Sequence, residues 1–144
     1  MGSFVAAFLG CEKLEAIPEG LFRYATKAKK FANCFRYTAS VSQIPENLFA
    51  ASPLAEEFYY TFYGTGSNFE ITNESLAINA GNYLASYPAS LEESIAEGKL
   101  RSIPEGLFAN NPNAARFEYV FGATAITSIP EKIFANNSAA TNYE

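Results

Sequence analysis

The sequence predicts an α/β repeat solenoid of about five coils, with short parallel strands and short helical turns, and three observations carry that expectation. A six-residue phrase recurs as IPEGLF at 17–22, IPENLF at 44–49, IPEGLF at 103–108 and IPEKIF at 129–134. The same spaced apolar residues stand ahead of each copy. Anchor isoleucines fall at 17, 44, 71, 103 and 129, in steps of 27, 27, 32 and 26 residues. A unit this short cannot bury its apolar set alone, so equivalent residues must stack in columns on neighbouring coils.

Each part of the unit has its own reason. It opens with alanine (Ala28, Ala55, Ala114, and Ala140 at the end), followed by a first Phe (Phe4, Phe31, Phe58, Phe117) and, four residues on, a second (Phe8, Phe35, Phe62, Phe121). Spacings of three and four match one face of a helix. After a short polar turn an aliphatic residue (Leu14, Val41, Leu100, Ile126) stands three before the anchor isoleucine. Proline disfavours helical backbone in its predecessor, so this stretch is expected to be extended and to build a flat or concave parallel sheet. Proline followed by glutamate suits the first turn of a helix, which makes Glu19, Glu46, Glu105 and Glu131 helix-start residues. The copy anchored on Ile71 is degenerate, forming a longer coil at about 71–102 with about five extra residues between Asn73 and Tyr87. Residues 1–144 then make one solenoid domain. It starts mid-unit at Phe4 and stops mid-unit near Tyr143, which leads us to expect a piece of a longer array or ends covered by neighbouring subunits.

Composition narrows the chemistry. Hydrophobic residues make up 49%, with 13 Phe and 9 Tyr against one Met, no Trp and no His, so aromatic rings must fill the interior. Ten basic and fifteen acidic residues leave a charge of −5, and the one basic cluster, Lys27, Lys29 and Lys30, reads as a solvated face; no nucleic-acid partner is expected. Without histidine the usual general bases and triads are excluded. Glu56–Glu57 and Glu92–Glu93 are adjacent carboxylates with no partner machinery, the repeats lack the Asp a calcium ladder needs, and Gly64-Thr65-Gly66 reads as a turn. No enzyme activity, cofactor or metal is expected. Cys11 and Cys34 fit no zinc spacing and neither demand nor exclude a disulfide. The segment Met1–Cys11 has the look of a lipoprotein signal, but it lacks a positive start and Phe4 and Phe8 obey the repeat. No run approaches the roughly 18 apolar residues of a membrane span, so direct membrane insertion is not expected.

With the register laid out, FLGCEKLEAI at 8–17 and FGATAITSI at 121–129 resemble the 26-residue-repeat bacterial surface proteins, a branch of the BspA-type leucine-rich repeats, with Gly10-Cys11 in the position of that family's Gly-Cys turn. The chain departs from the pattern in using Phe for Met and in lacking the Gly-Cys turn elsewhere. The resemblance implies a leucine-rich-repeat-like fold, an extracellular or cell-surface location on a bacterium, and adhesion to a protein or glycan of a host or neighbouring cell.

Recognition, on this reading, sits where the copies differ. Around the first Phe the variable residues are Lys29, Lys30 and Asn33, then Glu56, Glu57, Tyr59 and Tyr60, then Arg116, Glu118 and Tyr119. Stacked coils would gather Lys30, Glu57, Tyr59, Tyr60, Arg116, Glu118 and Tyr119 into a partner-binding row of mixed charge and tyrosine. The bland counterpart is a tolerant solvent face. Two function classes follow: a noncatalytic binding module, or a structural spacer or assembly subunit of a filament or virion that self-associates end to end.

Overall fold

The computed structural model describes residues 2–67 and 98–140. Among these, parallel bridges join Ser3 to Lys30, Lys30 to Glu57 and Glu57 to Arg116. The bridges divide the chain into four stacked coils: coil 1 (2–28), coil 2 (29–55), coil 3 (56–67 with 98–114) and coil 4 (115–140).

Adjacent coils are joined by every second amide of the two-Phe segment. Phe31, Asn33, Phe35 and Tyr37 of coil 2 donate to the carbonyls of Glu57, Tyr59, Thr61 and Tyr63 in coil 3, at 2.8–3.0 Å. Phe4, Ala6, Phe8 and Gly10 do the same from coil 1 to coil 2, and Phe58, Tyr60, Phe62 and Gly64 from coil 3 to coil 4. Intervening amides turn back on their own coil, as Cys34 donates to Phe31 and Arg36 to Asn33. The residue two after each Phe has positive φ: Ala6, Asn33, Tyr60 and Tyr119 after the first, Gly10, Tyr37, Gly64 and Ala123 after the second, all between 53° and 73°. A hydrogen-bonded turn whose third residue alone is left-handed is a type II turn.

These segments were expected to be helical, and the stretch before proline to be strand; among the described residues there is no helix, and β pairing is limited to the isolated bridges. A type II turn every four residues puts Phe at i and i+4 on one side, as a helix would. The Ile-Pro-Glu segment is likewise a hydrogen-bonded turn, with Leu21, Leu48, Leu107 and Ile133 donating to the carbonyls of Pro18, Pro45, Pro104 and Pro130. Its glutamates therefore cap no helix. Glu19 accepts from the Asn47 side chain at 3.0 Å and Glu46 from the Gly106 amide at 3.2 Å, each reaching the next coil.

Left-handed backbone costs a non-glycine residue about 1–2 kcal/mol. What offsets it is the core. First-Phe rings Phe4, Phe31, Phe58 and Phe117 form one column and second-Phe rings Phe8, Phe35, Phe62 and Phe121 another, with neighbours 5.3–5.8 Å apart and within 10° of parallel. Phe22, Phe49, Phe108 and Phe134 make a third column at 6.0 Å spacing. Phe22, Phe49 and Phe108 each sit tilted or edge-on between two first-column rings, and Phe134 packs in the same way on Phe117, at 4.7–5.0 Å. Burying one such ring contributes up to about 3 kcal/mol, and its packing against other rings about 1 kcal/mol more. The aromatic columns thus outweigh the strain of the turns that place them.

One buried corner is tied by side chains. Ser52 Oγ donates to the Ala25 carbonyl, Asn111 Nδ2 to those of Phe49 and Ser52, and Asn137 Nδ2 to those of Phe108 and Asn111. Each of these carbonyls also accepts a turn amide of its own coil, so the side chain from the following coil fills a second lone pair and ties the coils together.

The register expected a separate coil anchored on Ile71. Ile71, and the segment between Asn73 and Tyr87, lie outside the described residues. The pairing nonetheless leaves no place for a coil between Glu57 and Arg116, which bridge directly. Phe108 packs against both Phe58 and Phe117, so 98–114 closes the coil that 56–67 begins. Lys99 donates to the Gly66 carbonyl at 2.6 Å, so the chain leaves and re-enters coil 3 at adjacent points. The 59-residue step from Glu57 to Arg116 exceeds the 27-residue step from Lys30 to Glu57 by 32, the length of Ser67–Gly98. Among the described residues the count is four coils, with Ser67–Gly98 standing between the two parts of coil 3.

Candidate recognition face

Because the residue before each first Phe is the bridging residue, Ser3, Lys30, Glu57 and Arg116 stand in one column, and Gly2, Lys29, Glu56 and Ala115 in the column beside it. Variation between copies here is complementary. Lys29 Nζ lies 3.2 Å from Glu56 and Lys30 Nζ 3.7 Å from Glu57, each pair linking coil 2 to coil 3. Both lysines are half exposed, so each pair contributes no more than about 1 kcal/mol, but identical residues in either column would repel.

Arg116 carries the face onto coil 4. Its guanidinium lies 4.2 Å above the Tyr59 ring, and its Nε donates to Glu118 Oε1 at 3.2 Å. The second oxygen of Glu118 is buried without a hydrogen-bond partner. Tyr119 stacks on Tyr60 with centroids 5.2 Å apart. All seven residues named from the sequence thus meet across coils 2 to 4, with different exposures. Lys30 and Arg116 are exposed; Glu57, Tyr59, Glu118 and Tyr119 are half-buried; Tyr60 is buried.

Beneath Tyr60 lies a group that the sequence reading did not name. The Arg36 guanidinium sits over the rings of Tyr37, Tyr60 and Tyr63, at 4.9, 4.8 and 5.0 Å, and is 8% exposed. Its terminal nitrogens donate to Asn33 Oδ1 at 3.0 Å and to the Tyr37 hydroxyl at 3.3 Å. No carboxylate pairs with it among the described residues, and its Nε is buried without an acceptor. Ring faces therefore solvate the charge, at about 2 kcal/mol or more for a desolvated contact. Burial raises the Tyr37 hydroxyl above its usual pKa, while the charge and hydrogen bond of Arg36 act the other way. Arg36, Tyr37 and Tyr63 also vary between copies, around the second Phe. The reasoning applied to the first Phe would have found them.

Beside the face, Glu56, Glu57, Asn113, Ala115, Arg116 and Ala139 line a hollow of about 290 Å³ between coils 3 and 4. Between coils 2 and 3 the corresponding columns hold the Lys29–Glu56 pair; coil 4 has Ala115 in the lysine position. The hollow presents carboxylate oxygens and a guanidinium at its rim. No cluster of three His, Cys, Asp or Glu suited to a metal ion occurs among the described residues. Cys11 is exposed and Cys34 buried, both as thiols. In comparisons with protein-family models and with curated proteins, the chain matches none.

Proposed function

We propose that the chain is a noncatalytic binding module, a leucine-rich-repeat-like segment of a bacterial cell-surface protein that recognises a protein or glycan of a host or neighbouring cell through the variable face of coils 2 to 4. The observation that carries this reading is the convergence of Tyr59, Tyr119, Arg116 and Glu118 with Glu57 beside a hollow, on a scaffold whose other columns repeat. Tyrosine and arginine are the residues on which interface energy concentrates, because each offers a flat apolar body with a polar end. Charged donors and acceptors around a shallow hollow suit hydroxyl-rich or peptide ligands. The surface resemblance of the repeat supplies the location, and the absence of histidine from the sequence supports a role without catalysis.

The test is binding on a glycan array and to a panel of purified extracellular-matrix proteins, comparing the parent chain with a Tyr59→Ala, Arg116→Ala, Glu118→Ala, Tyr119→Ala variant. Loss of a specific signal by at least about tenfold, with circular dichroism unchanged, is the expected result. A signal that survives in the folded variant removes this face from recognition.

A further inference from the structure

The tyrosines of the recognition face rest on a buried charge. Tyr60 belongs to coil 3 and lies between its two neighbours: the Arg36 guanidinium of coil 2 is over its ring at 4.8 Å, and the Tyr119 ring of coil 4 stacks on it at 5.2 Å. Tyr59 meets the same ring at right angles, with centroids 6.5 Å apart, and itself lies under Arg116 at 4.2 Å. Both half-buried tyrosines of the face thus touch one buried ring, and that ring touches Arg36.

Winding the coil does not require this arrangement. The place of Arg36 in the turn ladder is held by Leu9 in coil 1 and by Gly122 in coil 4, neither of them charged. Arg36 is nonetheless buried, with no acceptor at its Nε and no carboxylate beside it among the described residues. Taking a cation out of water without an anion is costly, so rings that face it must compensate. Backbone strain gathers on the same residues. Ala6, Gly10, Asn33, Gly64 and Ala123 fill left-handed positions with small side chains; the bulky residues there are Tyr37, Tyr60 and Tyr119. A bulky side chain at positive φ persists only where its surroundings fix it, and all three belong to the tyrosine cluster around Arg36. Coil 4 also leaves the cluster room, since a Cβ at Gly122 would lie 2.7 Å from Tyr63 Cδ2.

We infer that Arg36 is a positioning residue of the recognition face. Its guanidinium is attracted to the negative faces of Tyr37, Tyr60 and Tyr63 at once, which fixes the plane of Tyr60. That plane sets Tyr119 by stacking and Tyr59 by its edge, and Tyr59 in turn seats Arg116. Side chains that meet a ligand are thereby oriented before it arrives, by a residue that never touches it, which lowers the ordering cost of binding. What the face is for rests on the recognition reading; how the face is held does not.

Tyrosine nitration by tetranitromethane on the full chain, mapped residue by residue by mass spectrometry, tests this without a ligand. Tyr24, 83% exposed, is the internal reference. Arg36→Lys keeps the charge but not the planar fork that spans three rings, and Arg36→Gln removes the charge. Relative to Tyr24, nitration of Tyr119 and Tyr59 is expected to rise by about threefold or more in Arg36→Gln and by less in Arg36→Lys. Loss of a positive charge alone would slow the reaction by disfavouring the phenolate, so a rise reports ring geometry. Ile44→Val trims the separate Phe-lined core and is expected to lower Tm with the ratio unchanged. Where Arg36→Gln does not melt cooperatively, Arg36→Lys decides alone. An unchanged ratio in the folded Arg36 variants, an equal rise in Ile44→Val, or loss of cooperative melting in both Arg36 variants overturns the inference. A shifted ratio in a chain that binds nothing on the glycan array or matrix panel would sink the recognition reading and leave this one standing.

Discussion

Coil 2 and coil 3 carry out the same winding with very different lengths of chain. In coil 2, Thr38-Ala39-Ser40-Val41 leads from the turn ladder to the aliphatic column; in coil 3 the same path runs Thr65-Gly66, then Lys99-Leu100, with Ser67–Gly98 between. Both threonines hydrogen-bond the Phe35 carbonyl, and both aliphatic residues are fully buried. A coil is therefore defined by residues meeting their columns, and chain length between columns is free wherever the backbone can return to its exit. Such a return demands a residue with unusual backbone freedom. Gly66 has φ of +72°, and a Cβ there would lie 2.5 Å from the Val41 carbonyl oxygen and 2.6 Å from the Leu100 nitrogen.

The sharpest way to separate the two coils is at that residue. Gly66→Ala combines left-handed strain with a backbone clash and should lower stability by about 3 kcal/mol in denaturant unfolding. Ala39→Gly, in the uninterrupted coil, should cost no more than about 1 kcal/mol. Equal costs would mean that the insertion point is not specially constrained. Joining Gly66 to Lys99 removes the insertion and makes coil 3 a copy of coil 2. Loop-closure entropy favours the shortened chain by up to about 3 kcal/mol. The shortened chain should keep the parent's circular dichroism and melt cooperatively; loss of the transition would show that coil 3 needs the inserted segment to fold.

The smallest difference concerns the position three after the first Phe, a thiol in coil 2 and a hydroxyl in coil 3. Thr61 Oγ1 donates to the Phe31 and Phe58 carbonyls, whereas burial pushes the Cys34 thiol from 9.0 up to about 12, against the lowering effect of backbone hydrogen bonds from Ala7 and Phe8. The unfolded chain releases this proton near pH 9 while the folded chain holds it. The thiol's contribution is thus intact below about pH 9 and falls by about 1.4 kcal/mol per unit as pH rises toward 12. Cys34→Thr, which installs the coil 3 residue, should flatten that part of the alkaline stability profile relative to the parent. An unchanged slope would place the titration elsewhere.

Much of this architecture is legible in the sequence. The Phe, Leu and Ile columns follow from the repeat, and the variable residues around the first Phe do converge. Local geometry is not legible, because Phe at i and i+4 satisfies a helix and a run of four-residue turns equally well. Glycine would have betrayed the left-handed positions, but only Gly10 and Gly64 do so among the residues two after a Phe; Asn33, Tyr37, Tyr60, Tyr119, Ala6 and Ala123 give no such signal. The register expected a further coil between those of Glu57 and Arg116, which instead bridge directly, because a spacing carries no record of which columns it fills. The Arg36 cluster was missed because the search for variable positions stopped at the first Phe, whereas Arg36, Tyr37 and Tyr63 flank the second.

Most columns in this stack pair a residue with its own kind: Phe meets Phe, and Thr38 donates to Thr65. A tandem duplication of the gene segment for one unit would accordingly produce a coil already matched to its parent, with no compensating change in the core. The bridging columns break this symmetry, since Lys30 copied onto Lys30 would repel where Glu57 now attracts. Lengthening such an array is thus permitted by its hydrophobic columns and disciplined by its charged ones, so the order of charges along the stack would record which duplicates diverged.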